Sequence, residues 1–189
     1  TKKLANQLEE LGCEKKKLRI IRDGVDTKKF YEFKVSDEVY KKYGLNKGTD
    51  YVVFQGGIAA HDGVQFMVNA APQVIKNNPN VKFLIVGTGT YEKNIRELIA
   101  KNKLEKYFQF TGWVNYGEMP LFMNIAKINC IPLPDAPATH GVVTYKLFEG
   151  MACGTPAIIG NMPAVREIIK HKDGAYLVKS ENKEELANA

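Results

Sequence analysis

Short apolar runs that end at glycine or at a turn alternate with helical patterns along most of this chain. The two clearest runs are YVVFQGG at 51–57 and VKFLIVG at 81–87, which are apolar along most of their length rather than at every second residue. Continuous apolar character is typical of strands that are buried on both faces, as in a parallel sheet covered by helices. Helical patterns follow these runs, at 64–76 and at 90–102. The alternation therefore predicts an α/β fold, with a parallel sheet of about six strands and helices on both faces.

The remaining elements are predicted from weaker patterns. An amphipathic helix is expected over 2–11, ending at Gly12, and Pro72 is expected to kink or split the helix at 64–76. Further strands are predicted at LRII (18–21), YFQF (107–110), INCIP (128–132), PAII (156–159) and AYLV (175–178).

Length and composition limit the class of protein. The chain has 189 residues, of which 44 % are hydrophobic, enough for the core of one ordinary domain. No run approaches the ~18–20 apolar residues of a membrane span, and TKKLANQLEELG does not resemble a signal peptide. The three cysteines form neither CxxC nor a Cys/His pair at zinc spacing. These features predict a reducing, cytoplasmic setting without a structural metal.

The net charge of +6 does not by itself indicate a nucleic-acid partner. The lysines are interleaved with acids, as in LEELGCEKKKLRIIRD, and no aromatic and basic signature of an RNA-binding sheet is present. We therefore expect no nucleic-acid binding. Attraction to phosphorylated small molecules or to an anionic membrane surface is compatible with the same charge.

The segment KLFEGMACGTP, from Lys146 to Pro156, has an unusual acid in an apolar helix. Gly154 can adopt a left-handed conformation just past the helix end, and Pro156 prevents the helix from resuming. Lys146 and Glu149 are three residues apart and share one face of the helix. Two interpretations are open: an internal Lys146–Glu149 ion pair, or a Glu149 that faces a cleft and accepts hydrogen bonds from ligand hydroxyls.

Parallel sheets bind ligands at the carboxyl ends of their strands, so the loops there form the predicted site. Those loops contain two glycine pairs, the isolated Trp113, and two of the three histidines, His61 and His140. The loops are 55–63, 87–92, 111–118 and 134–141.

Several ligand and reaction classes are disfavoured by missing motifs. A GxG begins at Gly87, but Glu92 stands where the dinucleotide fingerprint requires a third glycine. A P-loop, a Gly-x-Ser-x-Gly elbow and an Asp-x-Asp pair are also absent. The ligand that remains suitable is a nucleoside diphosphate bound without a metal.

The sequence assigns a contact to each part of such a ligand. Backbone amides at Gly56 and Gly57, and at the start of a helix near Val142, are expected to meet the phosphates. Lys146 would add a full charge, and Glu149 would accept two ribose hydroxyls. The base would lie against the loop at 111–114. The candidate binding residues are Gly56, Gly57, His61, Gly87, Trp113, Val114, His140, Val142, Val143, Lys146 and Glu149.

With these pieces in order, the chain resembles the C-terminal, nucleotide-sugar-binding half of a family 4 glycosyltransferase with the GT-B fold. The resemblance implies a Rossmann-like donor domain at 23–189, preceded at 1–22 by the end of an N-terminal lobe and a hinge. The segments that carry it are IIRDGVDTKKF (20–30), VVFQGG (52–57), VKFLIVGTG (81–89), FTGWV (110–114), KLFEGMACGTPAI (146–158), NMPAVREII (161–169) and GAYLV (174–178).

The resemblance also assigns roles to individual residues. Glu149 matches the second Glu of the family's E-x7-E motif, which holds the ribose. Gly57 and Asp62 stand where the family usually has an Arg and a Lys that grip the diphosphate, and Gly141 stands where it has the first Glu. Some members lack that first Glu and carry a Lys three residues before the second, as Lys146 is here.

The activity implied is retaining transfer of a sugar from a UDP- or GDP-sugar to a glycan or a lipid-linked acceptor. The family builds its acceptor site in an N-terminal lobe, so these residues alone are expected to bind nucleotide but to transfer little or no sugar. Two alternatives share the fold: a non-catalytic nucleotide-binding module, and a sugar-nucleotide epimerase. A dehydrogenase would require NAD binding.

Overall fold

The computed structural model describes all 189 residues, and it contains eight α-helices and six strands. The helices are α1 (Lys2–Glu10), α2 (Asp37–Lys42), α3 (Val64–Asn77), α4 (Glu92–Lys101), α5 (Met119–Ile125), α6 (Tyr145–Ala152), α7 (Pro163–Arg166) and α8 (Lys183–Asn188). The strands are β1 (Asp50–Gln55), β2 (Val81–Val86), β3 (Phe108–Gly112), β4 (Ala126–Ile131), β5 (Ala157–Gly160) and β6 (Ala175–Val178).

The six strands form one sheet in the order β3-β2-β1-β4-β5-β6, and every neighbouring pair is parallel. The chain builds outward from β1 to one edge and then returns to build outward from β4. The strand order therefore reverses between β1 and β4, where the loops leaving their carboxyl ends diverge and open a crevice. This topology confirms the predicted parallel α/β sheet of about six strands.

Alternate residues of each strand face opposite layers of helices. On β1, Val52 and Phe54 pack in the cluster that contains α3, α4 and α8, whereas Tyr51 and Val53 pack in the cluster that contains α5. A third cluster, built on β5 and β6, packs against α6 and α7. The strands read as continuous apolar runs because both of their faces are buried.

One local strand prediction is wrong, and the helix predicted at 64–76 is not split. The run at 18–21 forms no strand, and Ile21 is 88 % exposed. The run pairs with no other strand, and Ile20 is 48 % exposed as well. Helix α3 also continues unbroken through Pro72. Pro72 lies on the exposed side of α3.

None of the helices is both long and apolar enough to cross a membrane.

Candidate functional site

The predicted site residues meet at the crevice between β1 and β4. Gln55, the last residue of β1, donates a hydrogen bond from Nε2 to Glu149 Oε2 over 2.8 Å. Asp62, in the loop that follows β1, accepts a hydrogen bond from Lys146 Nζ at 2.9 Å. The β1–α3 loop and helix α6 are thereby joined by two side-chain contacts at the carboxyl end of the sheet.

Helix α6 is held close to β4 by an unusual contact. A Cβ added at Gly150 would lie 2.4 Å from Asn129 Nδ2, so only glycine allows this approach. The same Asn129 amide donates to the carbonyl of Lys146 over 2.7 Å. At the start of α6, the Thr144 side chain accepts from the Lys146 N–H. These contacts fix the distance of α6 from β4 and its rotation about its own axis, and therefore the direction in which Glu149 points.

Glu149 is buried, with 6 % of its surface exposed. Its second carboxylate oxygen, Oε1, accepts a hydrogen bond from Tyr116 Oη over 2.8 Å. The predicted internal ion pair with Lys146 does not form, because the Lys146 ammonium is bonded to Asp62. Of the two interpretations left open by the sequence, the ion pair is wrong, and Glu149 is instead a buried acceptor facing the carboxyl end of β1.

Burial shifts the protonation equilibrium of this carboxyl. Desolvation raises the pKa of Glu149 above its ordinary value, and the hydrogen bonds from Tyr116 and Gln55, together with the charge of Lys146, partly oppose that rise. Burial and the bond to Glu149 raise the pKa of Tyr116 to about 12, so this phenol remains a donor at neutral pH.

We expect Glu149→Gln to increase thermal stability at neutral pH. The introduced amide removes the buried charge. Its oxygen can accept from Gln55 Nε2 as the carboxylate does, and its NH2 group can donate to Tyr116 Oη. Because the pKa of the wild-type carboxyl is raised in the folded state, ionisation destabilises that state. The loss of stability begins above the ordinary pKa, grows with pH and is complete above the raised value. The advantage of the variant should therefore shrink as the pH falls towards 4.5, the ordinary value, and vanish below it. Melting temperatures of both proteins between pH 4 and pH 8 would check this, and a pH-independent difference would contradict it.

Lys146 and Asp62 form a half-buried ion pair beside Glu149. Their side chains are only 16 % and 15 % exposed, and the ammonium also lies 4.5 Å from the centre of the Phe54 ring. A Cβ at Gly56 would come within 2.7 Å of Lys146 Cε, so the glycine leaves room for the lysine. The other Asp62 oxygen accepts from the Ala59 N–H over 3.1 Å. The Lys146 ammonium is thus neutralised by an acid of the neighbouring loop.

Only part of the predicted backbone amide set is free to meet an anion. The Gly56 N–H is bonded to the Val86 carbonyl over 2.8 Å, which corrects its predicted role, whereas the Gly57 N–H has no partner within the chain. Gly87 has a structural function: its φ is +127°, and a Cβ there would lie 2.1 Å from the Gly56 carbonyl oxygen. The closeness of the two backbones fixes the position of the Gly57 amide.

The free backbone amides at the start of α6 belong to later residues than predicted. The helix begins at Tyr145 rather than near Val142, because Thr144 caps it. The Val142 N–H is bonded to the Thr139 carbonyl, and the Val143 side chain is buried in the core. The backbone N–H groups of residues 143–145 have no partner within the chain and stand at the start of α6.

The two candidate histidines lie in different surroundings. His61 is exposed, with Nε2 4.0 Å from an Asp62 oxygen, so it stands at the edge of the Lys146–Asp62 pair. The His140 imidazole is held by the Asp135 carboxylate, and its carbonyl accepts from the Ala164 N–H. The structure brings His61 to the candidate site, whereas the contacts of His140 are structural.

The loop after β3 presents a large aromatic side chain to solvent. Trp113 is 75 % exposed, whereas its neighbour Val114 is buried in the core below it. The Trp113 indole is therefore not part of the hydrophobic core. An indole with a free face at this edge of the sheet is available to a flat, apolar ligand group.

Sequence reasoning missed two residues that bond directly to Glu149. Gln55 reads as the end of an apolar strand, and its inward amide could have been noticed as a polar group in a run that is otherwise buried. Tyr116 lies in a 3₁₀ turn, Tyr116–Glu118, and no pattern in the sequence links it to a helix 33 residues away.

No group of three or more histidine, cysteine, aspartate or glutamate side chains is placed so that it could share a metal ion.

Fold and site together define a Rossmann-like ligand-binding domain of the kind that forms one lobe of the GT-B fold, with its polar groups at the strand-order reversal. The profile of the family described as "Glycosyl transferases group 1" matches residues 35–189, so the chain belongs to that family. The predicted boundary between residues 22 and 23 stays a prediction.

The chain is also similar to two curated glycosyltransferases. The chain is 24 % identical over 176 residues to an uncharacterized glycosyltransferase of Methanocaldococcus jannaschii, covering 90 % of this chain and 43 % of the relative. It is 27 % identical over 164 residues to a Corynebacterium glutamicum enzyme, described as a GDP-mannose-dependent monoacylated alpha-(1-6)-phosphatidylinositol monomannoside mannosyltransferase, covering 84 % of this chain and 42 % of that enzyme.

The fold is shared with HepE of Anabaena, solved in complex with UDP and glucose. The two align with a TM-score of 0.81 at 19 % identity, over 97 % of this chain and 49 % of HepE. The chain therefore spans somewhat less than half the length of the curated relatives that it matches and about half of HepE.

Proposed function

We propose that this domain binds the nucleoside diphosphate of a sugar donor in the crevice between β1 and β4. The observation that carries the proposal is the buried Glu149 carboxylate, held at the carboxyl end of β1 next to a lysine and to free backbone amides. Membership of the glycosyltransferase family supports a sugar nucleotide as the ligand. The UDP bound by HepE and the GDP-mannose dependence of the Corynebacterium enzyme support a UDP- or GDP-sugar.

Each part of the donor has a chemically suitable partner. Glu149 accepts hydrogen bonds from the two ribose hydroxyls. One of these hydroxyls replaces Tyr116 Oη as the donor to Glu149 Oε1. Lys146, the Gly57 amide and the amides of 143–145 bind the diphosphate, because charge and helix N-terminal N–H groups both favour anions. The base lies against the exposed face of Trp113 beside Val114.

In the whole protein, we propose that the donor sugar passes to a glycan or lipid-linked acceptor with retention of configuration. Support for this comes from the resemblance to family 4 and from the lipid-linked acceptor named for the Corynebacterium enzyme. An N-terminal lobe would supply the acceptor site and catalytic groups, at a cytoplasmic location that includes the membrane periphery. The reaction is proposed to need no metal. These 189 residues alone are expected to bind donor nucleotide without transferring its sugar.

Calorimetric titration with UDP, GDP and NAD tests the binding proposal. Saturable binding of UDP or GDP, strongly weakened in Glu149→Ala, is the expected result and identifies the base. Binding of NAD alone would instead support a dinucleotide enzyme. Binding of none of the three, by a domain whose melting curve is intact, would overturn the proposal for this domain.

A non-catalytic nucleotide-binding module is the second candidate, and one observation favours it. Lys146, the cation expected to stabilise the leaving diphosphate, is neutralised by Asp62. Gly57 also stands where family 4 glycosyltransferases usually have an Arg. Such a module would bind UDP or GDP but remain inactive when an acceptor-binding lobe is present. Donor hydrolysis or transfer by the full-length protein would exclude it, and conversion of donor without any acceptor would indicate an epimerase.

Lys146→Ala should weaken binding of UDP or GDP far more than binding of uridine or guanosine. The ammonium meets only the phosphates in the proposed pose, and a lost charge-assisted contact costs about 1.5–3 kcal/mol. Calorimetry with the four ligands measures the difference. Lys47→Ala is the matched control, because Lys47 is paired with Asp37 on the exposed surface and carries the same charge. Equal losses for nucleoside and nucleotide would show that Lys146 is no phosphate contact.

A further inference from the structure

The Lys146–Asp62 ion pair affects how much negative charge a ligand in the crevice can carry. Lys146 Nζ has one carboxylate partner, Asp62 Oδ1 at 2.9 Å, and both side chains are largely withdrawn from solvent. A phosphate that reaches Lys146 therefore also meets the Asp62 carboxylate at close range. At such distances, and with partial burial, two like charges repel appreciably.

The loop that carries Asp62 leaves little freedom for this acid to move away. Its Oδ2 accepts from the Ala59 N–H over 3.1 Å, within the 3₁₀ turn Ala60–Asp62 and its flank. The next residue, Gly63, has a φ of +80°, and a Cβ there would lie 1.7 Å from the Pro132 carbonyl oxygen. The carboxylate is thus fixed beside the ammonium by its own backbone, rather than being a surface charge that happens to lie nearby.

We propose that Asp62 is a specificity-determining residue that makes the donor site favour a sugar-esterified diphosphate over the free nucleoside diphosphate. This inference rests on the proposed function of the crevice. A free diphosphate has a terminal phosphate that loses its second proton near pH 6, so at neutral pH it carries about one more negative charge than the same diphosphate esterified by a sugar. A fixed carboxylate beside the phosphate site disfavours that extra charge.

In a transfer cycle, Asp62 affects binding of the product more than binding of the donor. The donor diphosphate binds beside Lys146, whose charge is balanced by Asp62. After the sugar is lost, the nucleoside diphosphate carries more negative charge and lies next to the same Asp62 carboxylate. Asp62 thereby lowers the affinity for the spent nucleotide more than the affinity for the donor. Release of the nucleoside diphosphate is accelerated without any movement of Glu149 or Lys146.

Asp62→Asn tests the proposal, because it removes the charge and keeps an oxygen that can accept from Lys146 or from the Ala59 N–H. Calorimetry would measure UDP, GDP, the matching UDP- and GDP-sugars, and the two nucleosides, at pH 7.5. The expected result is an increase in affinity for the free diphosphate of about tenfold, a smaller increase of about threefold for the sugar nucleotide, and no change for the nucleoside. The gain should diminish at high salt, because screening weakens a charge effect.

The control is Asp37→Asn, which removes an equally charged acid from the exposed Lys47 pair. Asp62→Ala, with its melting temperature, serves as a second variant, so that a folding defect in one does not decide the result. If the wild type binds UDP or GDP and neither Asp62 variant changes the ratio of diphosphate to sugar nucleotide affinity, the role of Asp62 is overturned while the nucleotide site stands. If no folded form binds any nucleotide, both proposals fail.

Discussion

Glu149→Ala is expected to weaken binding of UDP or GDP by about 1–3 kcal/mol, or about 5- to 150-fold in affinity. The substitution removes the acceptor of the ribose hydroxyls and leaves Gln55 Nε2 and Tyr116 Oη without the carboxylate that they share. The nucleoside should lose as much affinity as the nucleotide, because the ribose is common to both. This pattern distinguishes Glu149 from Lys146, whose loss should affect the diphosphate alone.

Calorimetry with UDP, GDP and their nucleosides would measure the effect. Tyr116→Phe is the matched control, because it removes a hydrogen-bond donor to Glu149 but retains the carboxylate. It should not lower nucleotide affinity, since a ribose hydroxyl replaces Tyr116 Oη in the proposed pose. Unchanged affinity in a folded Glu149→Ala protein would show that Glu149 has only a structural role.

Gly87→Ala is expected to lower the free energy of unfolding by about 2–4 kcal/mol. Two costs combine at this position: a φ of +127°, which side-chain-bearing residues rarely adopt, and a Cβ that would lie 2.1 Å from the Gly56 carbonyl oxygen. The neighbouring atom is backbone, so relief requires the ends of β1 and β2 to separate. Separation would also displace the Gly57 amide, and nucleotide affinity should fall with stability.

Denaturant unfolding of the two proteins would measure the loss. Gly57→Ala is a sharp control, because a Cβ there meets nothing within 4 Å and its φ lies outside the left-handed range. That variant should stay within about 0.5 kcal/mol of the wild type. Similar losses at both glycines would contradict the role assigned to the Gly56–Gly87 contact.

The architecture was predictable because it depends on patterns local to the chain. Runs such as 51–57 and 81–87 are apolar along most of their length since both faces of each strand are covered, and that alone predicts a parallel sheet. The end of α6 was also predictable from neighbouring residues, because Gly154 has a φ of +73°, as the left-handed position after a helix requires. The run at 18–21 failed because a strand also needs a partner, which composition does not reveal.

The importance of Glu149 could be inferred from the sequence, but its partners could not. An acid in an apolar helix signals an unusual environment, yet the competing ion pair with Lys146 was equally consistent with three-residue spacing. The structure decided between them by bringing Asp62 to Lys146, and Gln55 and Tyr116 to Glu149. Each of these contacts joins segments that are far apart in sequence.

Hydrogen-bond availability was likewise decided only by the folded chain. Gly56 and Gly57 look equivalent in the sequence, but the Gly56 amide is used by Val86 and the Gly57 amide is free. The sequence by itself determined the succession of strands and helices along the chain, and with it the edge of the sheet at which the candidate site lies. The tertiary structure determined which groups at that edge face one another, because charge pairing and hydrogen bonding depend on distances of a few ångströms between remote residues.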